Sequence, residues 1–300
     1  MKPNLLELSR PEAAADYLSG HLFSGSLVLL LGSGVSDPLG LPSWRKLVDG
    51  CLNRLGSEPY SGTDLELGGT KVVRLCEEQN VDVRELVRTV LYQGAAIDSV
   101  SLMGNRRLGS LGAMLMGSRR GTVTNVVTFN FDSVLEEYLS LHGYVSRIIT
   151  ELPAITGNED VTVYHIHGYI PSPNLIGAQP SPEIIFSKDS MNKRVGEQSG
   201  RWPTLLRTFA RSKVLLMLGM GASTSIGGAV GPLFKDESEP ISLVRPTAFW
   251  VGAESLDEDV RHTLINANVV PVKLLDHDSL DPFLLQICRG AATRMGKAIL

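Results

Sequence analysis

The chain has 300 residues, 43% of them hydrophobic and 20% charged, enough to bury one large core or two modest ones. Its 28 Lys and Arg against 32 Asp and Glu give a net charge of −4 and a pI near 5.9, so there is no basic footprint for general nucleic-acid binding and duplex DNA is set aside as a first partner. Cys51, Cys76 and Cys288 form no Cys-x-x-Cys pair and cannot all pair within one chain, which points to a reducing, cytoplasmic setting without a cysteine-rich zinc site. Glu7, Arg10 and Glu12 interrupt any apolar signal core at the start, and no apolar run approaches the ~20 residues of a spanning helix. The expectation is a soluble protein with no membrane partner.

Residues 9–22 read as a helix, with Ser9 as cap, Pro11 in the first turn and Glu12 completing a Ser-x-x-Glu box. Leu27-Val28-Leu29-Leu30-Leu31 is a continuous aliphatic run, the pattern of a parallel strand covered on both faces. It ends in Gly32-Ser33-Gly34, a turn in which main-chain N–H groups can close on a pyrophosphate above the sheet's carboxyl edge. The third glycine of Gly-x-Gly-x-x-Gly is missing, its place taken by Asp37, so a bare strand-to-loop turn is an equal reading. Trp44, Leu47, Val48, Cys51, Leu52 and Leu55 recur at helical spacing behind Pro42 and Ser43. Residues 56–105 hold helical fragments and few β-branched clusters, and are expected to be a helical insertion between the first two strands.

A helix near Arg106–Met116 precedes a second strand, Val126–Phe129, which runs into Asn130-Phe131-Asp132 and a helix carrying Val134, Leu135, Tyr138 and Leu139. Val161–Ile166 reads as a third strand ending at His167-Gly168, and residues 171–182 as a loop expected to be mobile over a site. Lys213–Leu218 is a further buried strand, followed by a second glycine turn, Gly219-Met220-Gly221-Ala222-Ser223-Thr224. Thr247–Val251 and Val269–Leu274 are the last strand candidates, with Ser255 and Glu258 boxing the helix between them, and Asp281-Pro282 opens a C-terminal helix. This alternation predicts an α/β fold, a Rossmann-like, doubly wound, mainly parallel sheet with a helical insertion after the first strand, forming one domain over 1–300.

Four polar clusters fall at predicted strand ends: 32–37, 130–132, 167–168 and 219–224. Singly each has a plain explanation. His167, and more so His165 inside its strand, suits a core histidine; Asn130 suits a turn; Asp132 suits a helix cap. Their coincidence along one edge is what marks a ligand site.

Gly32-Ser33-Gly34-Val35-Ser36, followed by Gly40-Leu41-Pro42-Ser43-Trp44-Arg45, resembles the nucleotide loop of the Sir2 (sirtuin) superfamily. Thr128-Phe129-Asn130-Phe131-Asp132 is similar to its Thr-x-Asn-x-Asp element, His167-Gly168 to its catalytic His-Gly, and Gly219–Ser223 to its later glycine-serine turn. The two Cys-x-x-Cys pairs of the deacetylase zinc ribbon are absent, Ser43 stands in place of an Asp, and Phe129 in place of Gln. What remains looks like the bacterial SIR2-like domains of anti-phage defence, which degrade NAD+.

The resemblance implies hydrolysis of the nicotinamide–ribose bond of NAD+, with NAD+ as substrate and no zinc. His167 would be the base, its ordinary pKa near 6.5 suiting that role, and Asn130 would hold ribose hydroxyls and the attacking water. Gly32, Ser33, Gly34, Ser36, Gly219, Gly221 and Ser223 would hold the pyrophosphate and adjoining ribose, with Asp132 and Trp44 beside them and Arg45 near the phosphates or the nicotinamide. Such an activity needs restraint, by homo-oligomerisation or a separately encoded partner such as an Argonaute-like protein, an ATPase or another phage sensor. The rivals are a silent NAD+ or ADP-ribose-binding regulatory module and an NAD-dependent deacylase. A dehydrogenase is set aside, because the ribose-reading acid expected ~20 residues past the glycine loop would fall inside an amphipathic helix.

Overall fold

Leu27–Leu31 forms β1 at the centre of a seven-stranded, all-parallel sheet of order β3-β4-β2-β1-β5-β6-β7. The other strands are β2 (Asn125–Thr128), β3 (Ser146–Ile149), β4 (Val161–His165), β5 (Val214–Leu218), β6 (Ala248–Gly252) and β7 (Val269–Lys273). The computed structural model describes residues 5–117, 120–175, 177–196, 199–222 and 245–299. The helices are α1 (Leu5–Leu8), α2 (Pro11–Phe23), α3 (Trp44–Arg54), α4 (Leu65–Gln79), α5 (Val83–Leu91), α6 (Ser99–Gly104), α7 (Arg106–Leu115), α8 (Val134–Leu141), α9 (Lys188–Met191), α10 (Arg201–Ser212), α11 (Glu258–Asn266) and α12 (Leu280–Ile299). Among the described residues no helix is long and apolar enough to cross a membrane.

Every residue of β1, β4 and β5 is buried, because the sheet is covered on both faces. Leu27, Leu29, Leu31, Leu216 and Phe249 enter one core with Leu18 of α2, Leu47 of α3, Leu111 of α7 and Leu284 of α12. Val28, Leu30, Leu215, Met217 and Trp250 enter the other with Trp202 and Leu206 of α10 and Leu264 of α11. The alternation hidden inside a uniformly apolar run therefore divides each strand between two cores.

After β1 the chain builds β2, β3 and β4 on one side, then crosses back to place β5 on the other side of β1. The strand order reverses at β1, where an open α/β sheet has its ligand crevice. Helices α4, α5 and α6 lie between β1 and β2 in sequence. They pack on the chain beyond β4: Tyr92 Oη donates to the Ile170 carbonyl at 2.7 Å, Asn174 Nδ2 to the Ile97 carbonyl at 2.8 Å, and Lys188 Nζ to Asp64 Oδ2 at 2.6 Å. The loop past residue 170 is thereby tethered at several points.

Three local expectations are corrected. Ser9 does not cap α2: its Oγ donates back to the Leu5 carbonyl, closing α1, and the cap position is Arg10, with no side-chain bond. Helix α11 is capped by Asp257, which accepts from the Val260 amide, so the Ser255 and Glu258 box lies out of register with the true start. Strand β3 was missed, because Ser146-Arg147-Ile148-Ile149 is a short edge strand with only Ile149 fully buried.

Candidate functional site

The two glycine turns meet where the carboxyl ends of β1 and β5 lie side by side. The Gly32 amide donates to the Leu218 carbonyl at 2.9 Å and the Gly34 amide to the Gly219 carbonyl at 3.0 Å. A Cβ on Gly32 would stand 2.6 Å from the Gly219 carbonyl oxygen, and one on Gly34 would stand 2.9 Å from Gly219 Cα. Gly219 itself has φ +65°, the left-handed region that glycine adopts without cost. These glycines are required by backbone-to-backbone packing of the turns before any ligand is considered. The amides of Val35 and Ser36 also donate to main-chain carbonyls, those of Gly32 and Ser33. Four of the five amides from 32 to 36 are thus committed internally, which corrects the expectation of a loop of amides open to pyrophosphate. Ser223 and Thr224 lie outside the described residues; Gly221 lies within the second turn.

Beside the first turn, Asn130 leaves the end of β2 held on three sides. Its amide donates to Thr128 Oγ1 at 3.0 Å, its Nδ2 donates to the Gly32 carbonyl at 3.2 Å and to Ser36 Oγ at 3.4 Å, and its carbonyl accepts from His165 Nδ1 at 3.1 Å. Both Nδ2 hydrogens are therefore spent, and Oδ1, an acceptor, is the side-chain atom left for a ligand. Ser36 Oγ passes the chain on to Asp132 Oδ2 at 3.0 Å, while Asp132 Oδ1 accepts from the Val134 amide at 3.3 Å. Asp132 thus does serve the start of α8, although the cap position is Ser133, and it also ties α8 to the glycine turn. Burial, with the negative charge of Glu136, raises the Asp132 pKa to about 6.

His167 follows β4 and sits in an aromatic shell. Its ring centroid is 5.3 Å from Phe129 and 6.0 Å from both Trp44 and Phe131. Phe186 closes on Trp44 at 4.9 Å. The imidazole is 8% exposed, and neither ring nitrogen has a hydrogen-bond partner among the described residues. Burial lowers its pKa to about 4, with the Phe129 carbonyl opposing the shift and the charge of Arg194 assisting it. That departs from the ordinary value near 6.5 expected for it. A buried polar group without a partner costs about 1–3 kcal/mol.

Arg45 is used differently from the expectation: its guanidinium donates to the Tyr60 and Gly62 carbonyls at 3.0 and 2.9 Å, holding the chain that leads into α4. Ser43 caps α3 through the Lys46 amide, so the residue that replaces the family's Asp starts the helix that brings Trp44 to His167. Among the described residues no cluster of three or more His, Cys, Asp or Glu is arranged to hold a metal, and the three cysteines are separate, buried thiols.

Residues 124–267 match the family model described as the SIR2-like domain. Over that span the chain is similar to the SIR2-like domain of the Sir2 superfamily. The matched span includes Asn130, Asp132, His165, His167 and the β5 glycine turn, with Gly32–Ser36 and Trp44 preceding it. No curated protein matches the sequence. Among solved structures the chain is similar to a Sir2 homologue mutant in complex with ADP ribose, at 13% identity and a TM-score of 0.46, over 89% of this chain and 93% of that one.

Two partners in the site were not legible beforehand. Glu136, on α8, bonds His165 Nε2 at 2.7 Å. Arg107, on α7, is buried, pairs with Asp281 at the start of α12, and donates to the Gly34 carbonyl at 3.4 Å and the His277 carbonyl at 2.9 Å. For Glu136 helical periodicity gave no signal, because it lies off the face made by Val134, Leu135, Tyr138 and Leu139. For Arg107 none existed either, because its partners are 73, 170 and 174 residues away.

Proposed function

We propose that this SIR2-like domain hydrolyses NAD+ to nicotinamide and ADP-ribose. The observation that carries the reading is His167, buried, neutral and without a hydrogen-bond partner among the described residues, just past β4, whose neighbour β2 leads into Asn130. Asn130 Oδ1 accepts from a ribose hydroxyl or the attacking water and so orients it. His167 takes the water's proton as its oxygen bonds to the ribose carbon. The electrons of the broken C–N bond neutralise the pyridinium, so nicotinamide leaves uncharged and no general acid is needed. Water bonding to an oxocarbenium-like carbon becomes strongly acidic, so a base whose pKa burial has lowered still accepts that proton. Trp44, Phe129 and Phe131 supply an apolar wall, which keeps bulk water from the cationic ribose.

Ser33 and Ser36 form the phosphate side of the site in this reading, and Asp132 holds Ser36 in place. The protein acts in defence against phage by depleting NAD+, restrained until needed by homo-oligomerisation or by a separately encoded sensor. That part rests on the resemblance to defence-type SIR2-like domains. The paired arrangement of Asn130 and His167 favours turnover over silent binding.

Nicotinamide release from NAD+, with no acyl peptide present and with and without co-expressed neighbouring proteins, tests the proposal. His167→Ala and Asn130→Ala should each lower turnover by about 10²-fold or more while NAD+ binding stays within about tenfold, because these contacts matter chiefly in the transition state. Wild-type turnover by both folded variants removes the assignment; release that depends on an acyl peptide restores the deacylase.

A further inference from the structure

His165 is 1% exposed and lies inside β4, the position of an ordinary core histidine, yet both of its ring nitrogens are engaged. Nδ1 faces the Asn130 carbonyl at 3.1 Å, and Nε2 faces Glu136 Oε1 at 2.7 Å. A carbonyl oxygen only accepts, so Nδ1 carries a hydrogen. Between Nε2 and Oε1 there is again one hydrogen, whichever atom holds it. Glu136 is 5% exposed, and its second oxygen, Oε2, is buried without a partner among the described residues. The cavity shared by Ser36, Asn130, Asp132, Glu136 and His165 is about 10 Å³, at the lower limit for a single water. A buried carboxylate in that setting is compensated chiefly by its bond to His165.

We infer that His165, oriented by Glu136, is a positioning residue that fixes Asn130 through its main-chain carbonyl, so that the Asn130 side chain presents Oδ1 to the ligand. This role rests on the reading of Asn130 as the ribose- and water-orienting group. Thr128 Oγ1 holds the amide of Asn130 and His165 holds its carbonyl, so the peptide on either side cannot rotate. The side chain then reaches Gly32 and Ser36 in one orientation. Thr128 and His165 are register partners across β2 and β4, so the clamp is built from the sheet itself. Tyr169 closes the remaining side, its ring edge-on to His165 at 5.0 Å.

Two substitutions separate positioning from packing. In His165→Asn the amide nitrogen reaches about as far as Nδ1, keeping the donor to the Asn130 carbonyl and losing Glu136. In His165→Gln it reaches about as far as Nε2, keeping Glu136 and leaving that carbonyl bare. Positioning predicts that His165→Asn retains kcat within about threefold, whereas His165→Gln loses at least about tenfold in kcat with KM changed less than about threefold. Equal losses in the two folded variants, or a wild-type kcat in His165→Gln, overturn it. A second measurement does not depend on turnover: in wild-type protein carrying ¹⁵N-labelled histidine, the His165 signal, assigned by its loss in His165→Asn, should show a protonated, hydrogen-bonded Nδ1. A bare Nδ1 overturns the inference even if His165→Gln fails to fold. If Nδ1 is protonated and the wild type releases no nicotinamide under any condition, the hydrolase reading fails and the clamp on Asn130 stands.

Discussion

His167 and Asp132 are both buried at the carboxyl edge of the sheet, and burial moves their pKa values in opposite directions, against the charged form in each case. In both cases burial favours the uncharged form, which His167 holds above about pH 4 and Asp132 only below about pH 6. His167 is lowered to about 4 by burial, so between about pH 4 and 6.5 the unfolded chain holds a proton that the folded chain does not, and stability rises with pH across that window. Asp132 is raised to about 6 by burial and then by Glu136, so from about pH 4 to 6 the folded chain holds the extra proton, and stability falls as pH rises. Each shift exceeds two units, worth on the order of 3 kcal/mol, and the two largely cancel in the wild type. Substitution uncovers them. Urea unfolding of His167→Phe between pH 4 and 7 should show a smaller gain in stability with rising pH than the wild type, and Asp132→Asn a larger one. Three parallel stability curves contradict this account. The same depression of His167 places the acid limb of kcat/KM below about pH 5, well under the 6.5 of a free imidazole.

Turns and helix starts are where the elements fix the site. The glycine turns after β1 and β5 touch through main chain, so Gly34→Ala forces them apart: the new Cβ would stand 2.9 Å from Gly219 Cα. Overpacking of this kind costs about 1–3 kcal/mol. Melting temperature and NAD+ affinity should therefore fall together in Gly34→Ala. A fall in affinity at unchanged melting temperature would mean that the glycine serves the ligand alone. Helix α4 makes the second such contact, because a Cβ on Gly69 would collide with the Phe186 carbonyl oxygen. Phe186 belongs to the aromatic shell, packing on both Trp44 and Phe131. Gly69→Ala should destabilise the protein by a similar amount and also raise KM, since moving the 186 segment opens the wall around His167. Unchanged kinetics in a destabilised Gly69→Ala protein would detach the insertion from the site.

At the scale of the whole molecule, two hydrophobic cores on either side of one sheet support the fold, and no described cluster of side chains asks for a metal. The three cysteines are dispersed over the core face: Cys51 on α3, Cys76 on α4 and Cys288 on α12. Desolvation pushes the Cys51 thiol up to about 12, the opposite of what a thiolate ligand requires. Purified protein should carry no stoichiometric zinc, and a chelator should leave its melting temperature unchanged. One zinc per chain, lost together with structure, would revive the deacylase reading.

The buried strands were legible in the sequence because a strand covered on both faces must be apolar throughout, and runs such as Leu27–Leu31 and Val214–Leu218 have no other use in a folded chain. The glycine turns and the polar residues at strand ends were legible for the same local reason. Strand β3 was not, because an edge strand with one fully buried residue has little apolar signal to give. Tertiary structure alone decided what stands beside what. Ser36, Asn130, Asp132, Glu136 and His165 come from four separate segments, and their bonds span 29 to 96 residues. Strand order and register set those distances, and periodicity within one segment carries no record of its neighbour. So His165 reads as a core histidine in its own strand and becomes a clamp only when β2 lies beside it, and the bonds of Arg45 to the Tyr60 and Gly62 carbonyls exist only once the chain entering α4 lies beside α3.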